Sequence, residues 1–492
     1  MIPALIGAGI VCRLVQYLWD RSFWVDEASL VLNIRNRTAG ELLGKLDFHQ
    51  AAPPLFLLAE RGLFRAFGGS ELSLRLLPLA AGCVSVVLFA VIARRLLNPW
   101  AAIVALALFC FSDRLIWHAT EVKQYGLDVL IALVLTVLAV GTRDDREAFM
   151  RRLVRVSLAA AVGVWFSYPA ALAFGGISVA LLPAVLRGCR RGWVLYLAAN
   201  LAVVVSFSLM LSVVAVQHSQ SLADYWVEDF LDWHHPLAAV VWLARHLLSL
   251  CNYPVDPLGA VALACAMLGA AWMARSGASR ELAMLVNPIG MNLLAAAADR
   301  YPFDGARLTV FLAPAVLLLA GGGCQAIWEW VGDRLKWLWV VAAAALVAVA
   351  AANSAFHLVV PRARGHLRPV AAFVRDHVQP SDVVYCLQER EFSCYWPVPD
   401  SRLHDELPPA DEIPGKRFWI VWSYANDRIR HRLDGTLDWA QSFSRQRMDF
   451  LGSGGCAYLF EITAAPVPPV PPPDMATHHK MMHASTPEGF VR

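Results

Sequence analysis

The sequence predicts a mostly α-helical, polytopic membrane protein, and three observations support this. Of its 492 residues 58% are hydrophobic and only 16% are charged, whereas an ordinary soluble chain carries roughly 25% charge. The mean hydropathy is +0.50. The eighteen Trp residues suit a protein with two membrane interfaces, where indole rings prefer to lie. This composition excludes a cytosolic enzyme, a disordered protein and a secreted disulfide scaffold. The net charge of +3 gives no reason to expect a nucleic-acid partner.

Apolar runs of about 17–25 residues, the length that crosses a bilayer, predict the membrane helices. We expect about eleven of them, within a transmembrane domain at residues 1–356. They lie near 2–19, 74–93, 100–117, 125–140, 154–169, 171–186, 193–215, 256–274, 281–298, 308–323 and 337–356. The first begins almost at Met1, so we expect no cleavable signal peptide.

The distribution of Arg and Lys predicts the orientation of the chain. Most of these residues fall in the loops that are cytoplasmic if Met1 is cytoplasmic. The first outer loop, 20–73, is also basic, but a loop of this length weakens the rule. We therefore predict a multi-pass protein of the cell inner (plasma) membrane, with its N-terminus inside and its C-terminus outside.

A small extracytoplasmic α/β domain is expected at 357–463, because strand-like stretches at 382–386, 418–422 and 457–462 alternate with polar turns. A disordered, Pro-rich tail should follow at 464–492. The ten Cys residues show no metal spacing and suit structural packing, although a Cys386–Cys394 disulfide is an option outside the membrane.

The first candidate site opens the first outer loop. Asp26 and Glu27 follow Phe23 and Trp24, and two adjacent carboxylates at a membrane interface are costly to desolvate. Apolar neighbours can raise the pKa of a carboxylate and make it a general base. Asp26 could equally cap a helix at 27–36. Spacing alone leaves these two interpretations equal.

The same loop continues with His49 and the Pro53-Pro54 pair. The two prolines allow an extended entry and then a helix start. The helix that follows, at about 54–67, has an apolar face with Arg61 and Arg65, which is typical of an interfacial helix. His49 taken alone is more typical of a structural hydrogen-bonding residue.

Two further clusters of polar residues lie at predicted membrane boundaries. The first is more charged than a turn requires, which favours function: Asp113, Arg114, His118, Glu121, Lys123, Gln124, Tyr125 and Asp128. The second, at 299–307, ends with Arg307. Its guanidinium could grip a phosphate, although an interfacial anchor is the better interpretation of that residue alone. The acidic segment 224–235 could be a lid or a surface helix, and its His234-His235 pair is a poor metal site.

Together these pieces resemble the integral-membrane C-type glycosyltransferases, specifically the protein-mannosyltransferase-like superfamily with its aminoarabinose and galacturonic-acid transferases. The resemblance covers about 1–356 and is clearest over the first 130 residues. It rests on WVDEA at 24–28, HQAAPPLFLL at 49–58, EVKQYGLD at 121–128 and YPFDGARLTVFLAP at 301–314.

The resemblance implies an inverting transfer of a sugar from a polyprenyl-phosphate donor to an extracytoplasmic glycan or lipid acceptor. Asp26 would be the general base, and Glu27 would orient the acceptor or a cation. Lys123 and Arg307 would stabilise the phosphate leaving group. Residues that match the family's donor phosphate- and sugar-binding motifs are His49, Glu121, Lys123, Tyr125, Tyr301 and Arg307. No metal and no cofactor are expected, and neither a Rossmann glycine motif nor a P-loop is present.

Two departures from the family pattern qualify this assignment. Gln50-Ala51-Ala52 separate His49 from the Pro-Pro pair, and Ala52 stands where the aminoarabinose branch has Lys, which argues against that donor. Alternatives are a protein O-glycosyltransferase or an oligosaccharide ligase, and, from another class, a lipid-linked sugar flippase or transporter. In a non-catalytic scaffold Asp26 would be only a cap.

Overall fold

The structure, a computed structural model, describes most of residues 1–463. The gaps are 142–145, 188–189, 218–224, 361–364, 387–388, 397–401, 405–406, 408–412, 414–416, 424–426 and 453–454. The tail expected at 464–492 lies outside the described residues. The chain forms two compact units. The membrane unit comprises Met1–Trp19 and Thr38–Pro361, and the C-terminal unit comprises Asp20–Arg37 and Arg362–Arg492.

The described part of the membrane unit is helical. Its α-helices are Ile2–Leu18, Pro54–Phe67, Glu71–Leu74, Leu76–Leu96, Pro99–Cys110, Asp113–His118, Tyr125–Ala139, Arg146–Gly163, Ala170–Leu186, Arg190–Val214, Pro236–Asn252, Gly259–Arg275, Ser279–Ala297, Ala313–Trp330 and Lys336–Val359. A helix is present at each of the predicted spans, so the mostly helical membrane fold is confirmed. The helix expected at 54–67 has the predicted bounds.

The helices at the predicted spans 100–117 and 154–169 differ from their predicted bounds, the first of them for a local reason. The span expected at 100–117 ends at Cys110, and a new helix starts after Ser112, whose hydroxyl accepts a hydrogen bond from the Leu115 N–H at 3.4 Å. A Ser at this position satisfies an N–H that has no partner within the helix. The helix expected at 154–169 begins earlier, at Arg146, and ends at Gly163.

Four helical segments of the described chain are long and apolar enough to cross a membrane by length and composition. They are Leu76–Leu96, Arg190–Gln217, Val310–Trp330 and Asp333–Val359. The pair Pro236–Val255 and Gly259–Arg275, bent by 103°, makes a fifth if it counts as one span, and four further apolar helices are shorter. The total of eleven spans therefore stays a prediction.

Apolar side chains cover the outside of several long helices. On Arg190–Val214 the exposed residues include Val194, Leu201 and Leu209, and on Lys336–Val359 they include Val341 and Phe356. Exposed apolar surface of this extent needs an apolar solvent, and lipid supplies it along a membrane helix.

Glycines set the closest helix crossing of the membrane unit. A Cβ atom at Gly269 would lie 1.9 Å from the Leu319 carbonyl oxygen, and one at Gly323 would lie 2.0 Å from the Cys265 carbonyl oxygen. The helices Gly259–Arg275 and Ala313–Trp330 therefore touch backbone to backbone. Such close approach through small residues is a main source of helix association in membranes.

We expect Gly269→Val to destabilise the membrane unit, because the new side chain would force these two backbones apart. Overpacking of this kind costs about 1–3 kcal/mol. Gly290→Val is the matched control, since a Cβ atom there meets nothing within 4 Å. Thermal unfolding of the detergent-purified protein measures the difference, and equal Tm values for the two variants would show that the crossing is not tight.

The C-terminal unit contains a five-stranded mixed sheet. Its strands are β1 (Val383–Cys386), β2 (Leu403–His404), β3 (Arg417–Ser423), β4 (Ser444–Leu451) and β5 (Gly455–Ile462), in the order β2-β1-β3-β5-β4. β1 pairs parallel with β2 and β3, and β5 pairs antiparallel with β3 and β4. The strands expected at 382–386, 418–422 and 457–462 are confirmed as β1, β3 and β5.

The central strand β3 is apolar on both sides, so both faces of the sheet need a cover, and helices supply it. Phe418 and Trp422 pack in one core with Trp439 of helix Asp427–Gln441. Trp419, on the opposite side of β3, packs in the second core with Val370 of helix Arg368–His377.

The first-loop helix, Val25–Asn36, belongs to the C-terminal unit, although the sequence places residues 20–37 beside the membrane spans. Within this unit it contacts the short helix Glu389–Ser393. Cys386 and Cys394 are both free thiols, so the disulfide between them is wrong.

Candidate functional site

The local structure around Asp26 rules out its capping role. The first-loop helix begins at Val25 with Trp24 as its N-cap, so Asp26 is the second helical residue and Glu27 the third. The buried Glu27 carboxylate accepts a hydrogen bond from the Trp24 N–H at 3.4 Å, which is the reach-back half of a capping box. The expectation that Asp26 caps a helix at 27–36 is therefore wrong. The N-cap is Trp24, Glu27 accepts its N–H from the third helical position, and Asp26 is half-buried.

The C-terminal unit holds the start of the first-loop helix through an aromatic contact. The Phe23 N–H donates a hydrogen bond to the Tyr395 hydroxyl at 2.7 Å. The two rings stack, with centroids 6.2 Å apart and planes 15° apart. Phe23 is buried, so this contact fixes the backbone three residues before Asp26.

The other end of the same helix is held by a charged side chain. The Arg35 guanidinium donates hydrogen bonds to the carbonyl oxygens of Ser393, at 3.0 Å, and Cys394, at 3.2 Å. A guanidinium offers several donors in a fixed plane and suits two adjacent acceptors. The first-loop helix is thus gripped at both ends by the segment Glu389–Trp396, which we call the clamp segment.

In the membrane unit, a buried hydrogen-bonded row joins three polar side chains. The Glu121 carboxylate lies 3.0 Å from His118 Nδ1, and His118 Nε2 lies 2.7 Å from the Tyr253 hydroxyl. Glu121 and His118 are almost fully buried. A carboxylate–imidazole–phenol row of this kind can orient a polar ligand or pass a proton along its length.

Lys123 lies beside this row and contacts the first outer loop. Its ammonium donates a hydrogen bond to the Gln50 side-chain oxygen at 2.8 Å, and the lysine is 7% exposed. Phe48 and His49 both have positive φ, at 61° and 52°, and this turn places Gln50 next to the cation. The residue that departs from the family pattern thus fixes a predicted phosphate-binding lysine.

The two predicted tyrosines belong to the same surroundings. The Tyr125 ring packs edge-on against His118, with centroids 5.0 Å apart. The Tyr301 hydroxyl donates to the Leu308 carbonyl at 3.0 Å. Burial raises the pKa of Tyr301 well above its usual value, and the nearby charge of Asp128 adds to this. Tyr125 also contributes to that shift, so the structure brings Tyr125 and Tyr301 together.

Asp304 builds the turn that leads to Arg307. Its carboxylate accepts hydrogen bonds from the N–H groups of Ala306 at 2.9 Å, Leu308 at 3.0 Å and Thr309 at 3.1 Å. Burial raises the pKa of Asp304, while these N–H donors oppose the shift. Gly305 follows with φ 62°, a conformation that glycine adopts at no steric cost.

Arg307 contacts two aromatic residues of the acidic segment. Its guanidinium lies 5.1 Å from the centre of the Trp226 ring, and one nitrogen donates to the Tyr225 hydroxyl at 3.4 Å. The segment 224–235 therefore supplies partners for Arg307, which favours a role in the site over a plain surface helix. Asp224 lies outside the described residues.

We expect Asp304→Ala to release the 304–309 turn, because three backbone N–H donors would lose their acceptor. Each buried donor left without a partner costs about 1–3 kcal/mol. Thermal unfolding in detergent should show a clear loss of Tm, with a smaller loss for Asp304→Asn, which keeps an acceptor oxygen. Asp333→Ala, an exposed carboxylate paired with Lys336, is the control and should leave Tm unchanged.

The predicted site residues thus fall into three groups. Glu121 belongs to the buried row in the membrane unit, Lys123, Tyr125 and Tyr301 lie near this row, and His49 immediately precedes the glutamine that binds Lys123. Arg307 lies with the acidic segment. Asp26 and Glu27 belong to the C-terminal unit.

Sequence reasoning missed three aromatic residues of the site, Tyr253, Tyr225 and Trp226. Tyr253 has no local signal, whereas Tyr225 and Trp226 stand in the acidic segment already noted. Among the described residues, no group of three or more His, Cys, Asp or Glu side chains could hold a metal ion.

Comparison with solved structures shows where this fold occurs. ArnT from Cupriavidus metallidurans bound to undecaprenyl phosphate matches with a TM-score of 0.55 and 13% identity, over 93% of this chain and 97% of that one. Its apo state matches with a TM-score of 0.53 over the same shares. The apo oligosaccharyltransferase of Archaeoglobus fulgidus matches with a TM-score of 0.50 and 9% identity, over 93% of this chain and 74% of that one. No family model and no curated protein matches the sequence.

Proposed function

We propose that this chain, which has the fold of the C-type integral-membrane glycosyltransferases, transfers a sugar from a polyprenyl-phosphate donor to an extracytoplasmic glycan or lipid acceptor. One observation carries the proposal. A buried row of ionisable groups, with a fixed lysine beside it, lies at one end of membrane helices in a fold shared with a protein that binds undecaprenyl phosphate. Buried charges among membrane helices are expensive and usually functional.

The chemistry assigns a distinct task to each group of residues. Asp26 takes the proton of the acceptor hydroxyl as its oxygen attacks the anomeric carbon. The bond between that carbon and the phosphate oxygen breaks, the configuration inverts, and polyprenyl phosphate leaves with its bonding electrons. Lys123 and Arg307 stabilise the charge that develops on the phosphate, because they are held by Gln50, Tyr225 and Trp226 and need little reorganisation.

The C-terminal unit is built from two distant segments of the chain, and this restricts the membrane topology. Residues 20–37 and the part of this unit after 362 fold together, so both lie on the same side of the membrane. The chain between them must cross the bilayer an even number of times, and ten of the eleven predicted spans lie there. This supports placing residues 20–37 and the C-terminal domain on the same side of the membrane, as the proposed orientation requires.

The proposal is tested with purified protein in detergent, a panel of polyprenyl-phosphate sugars and a membrane glycolipid extract. Mass spectrometry follows the release of free polyprenyl phosphate. Release that requires the acceptor extract is the expected result, and the productive donor identifies the sugar. Movement of the donor between leaflets of proteoliposomes, without release from any donor, would contradict the proposal in favour of a flippase.

A further inference from the structure

The clamp segment carries a carboxyl group into the core of the C-terminal unit. Glu391 is 3% exposed. Its carboxyl group accepts a hydrogen bond from the N–H of Val25, which is the first residue of the first-loop helix. It lies close enough to Asp26 for their charges to interact. Burying a carboxyl group beside another carboxylate costs free energy. A fold that keeps such a pair is a candidate for a functional role.

Burial raises the pKa of Glu391 to about 8, and the negative charge of Asp26 raises it further, whereas Arg390 and the Val25 N–H oppose the shift. Gly365 and the Ser423 hydroxyl lie nearby, and neither titrates in this range. His366 follows Gly365 in the chain. Burial lowers the pKa of His366, so its imidazole is neutral near pH 8. Within the described residues, Asp26 and Arg390 are the charged groups that shift the pKa of Glu391.

We propose that Glu391 is a positioning residue for sugar transfer: it holds the N-terminus of the first-loop helix and places a second carboxyl group beside Asp26. The inference rests on the proposed function, because it takes Asp26 as the general base. It also gives the C-terminal unit a part in the reaction, which the sequence alone assigns to the membrane domain.

The pairing follows from the two environments. Asp26 is half-buried, whereas Glu391 is enclosed and takes the proton at neutral pH. Above about pH 8 Glu391 ionises, and its repulsion with the nearby Asp26 pushes the start of the helix away from the clamp segment.

The first experiment measures transfer by the full-length protein. Glu391→Ala removes the acceptor of the Val25 N–H, and we expect kcat to fall by about 10–100-fold, as a displaced catalytic group would, with the donor KM unchanged. Glu391→Gln keeps an acceptor oxygen and should retain kcat at pH 7. Glu461→Ala, at the solvent-exposed Arg447 pair in the same unit, is the control and should retain kcat throughout.

The pH dependence separates positioning from general support of the fold. We expect wild-type kcat to fall as the pH rises through about 8, and kcat of Glu391→Gln to stay level over that interval. Identical profiles for the two proteins, together with wild-type kcat for Glu391→Ala, would overturn the proposal.

The second experiment does not depend on activity. Because the pKa of Glu391 in the folded chain, about 8, exceeds its ordinary value of 4.5, the folded state holds this proton more tightly. The contribution of this proton to the free energy of unfolding is fully present below about pH 4.5 and is lost as the pH rises to about 8. The difference in Tm between wild type and Glu391→Gln across this range therefore reports the titration of Glu391.

Asp26→Asn then decides whether the two carboxyls are coupled. Removing the like charge should move the Glu391 midpoint to lower pH, and an unmoved midpoint would overturn the pairing. If the midpoint moves but wild type releases no polyprenyl phosphate from any donor, the proposed function fails while the pairing stands. If wild type transfers sugar and the midpoint is unmoved, the function stands and the pairing fails.

Discussion

Asp26→Asn should reduce kcat for sugar transfer by about 10²–10⁴-fold, the usual contribution of a positioned general base. The amide has nearly the shape of the carboxylate but cannot take the proton of the acceptor hydroxyl. Because Trp24 is the N-cap of the first-loop helix and Glu27, not Asp26, accepts the hydrogen bond from its N–H, the substitution should leave that helix intact. Donor binding should be retained, since Asp26 acts on the acceptor.

Two controls separate this loss from damage to the fold. Asp438→Asn changes an exposed carboxylate in the same unit and should retain full kcat. Binding of polyprenyl phosphate, followed by native mass spectrometry, should be equal in Asp26→Asn and wild type. Equal turnover in the Asp26 and Asp438 variants would show that Asp26 is not the base. It would leave Glu27 as the residue of this pair that orients the acceptor.

Lys123→Gln should reduce kcat/KM for the donor by about 10²–10³-fold, which is typical of removing one fixed group that stabilises developing charge. The ammonium is held by Gln50 and almost fully enclosed. It therefore acts on a phosphate in surroundings that screen charge far less than water does. Gln is one bond shorter than Lys but keeps a hydrogen-bond donor, so the loss of the charge is the main change.

The matched control is Lys336→Gln, which removes a lysine paired with Asp333 at the surface of the same unit. Steady-state kinetics with the productive donor should show full activity for this variant. If the two lysine variants have the same kcat/KM, Lys123 does not bind the phosphate, and Arg307 becomes the principal candidate.

The membrane fold could be predicted from the sequence because its main constraint is local. A bilayer requires each helix to supply its own backbone hydrogen bonds over a fixed length, so an apolar run marked the helix at each predicted span. The errors came from single residues. Ser112 divides one predicted span, since its hydroxyl satisfies the start of a new helix, and composition alone does not reveal such a break.

The candidate site was predictable only in part. Motifs identified Asp26, Lys123 and Arg307, because each stands in a run of unusual polarity at a membrane boundary. Their partners were not predictable. Tyr253 is one tyrosine among apolar residues, and its hydrogen bond to His118 depends on a crossing of distant helices.

Glu391 shows the same limit more strongly. It stands in an ordinary polar stretch, and only the folding of the first-loop helix against the clamp segment brings it beside Asp26. No local periodicity contains that information, because the two segments come from opposite ends of the chain.

The distance between these segments also affects synthesis. The first-loop helix meets its partners across 344 residues at Ser22–His366, 359 at Arg35–Cys394 and 372 at Phe23–Tyr395. At about 5–20 residues per second, translation leaves residues 20–37 without these contacts for roughly 20–70 s. The nascent chain therefore contains Asp26, the proposed general base, long before it can position this residue, and a chain truncated before the clamp segment should insert in the membrane yet remain inactive.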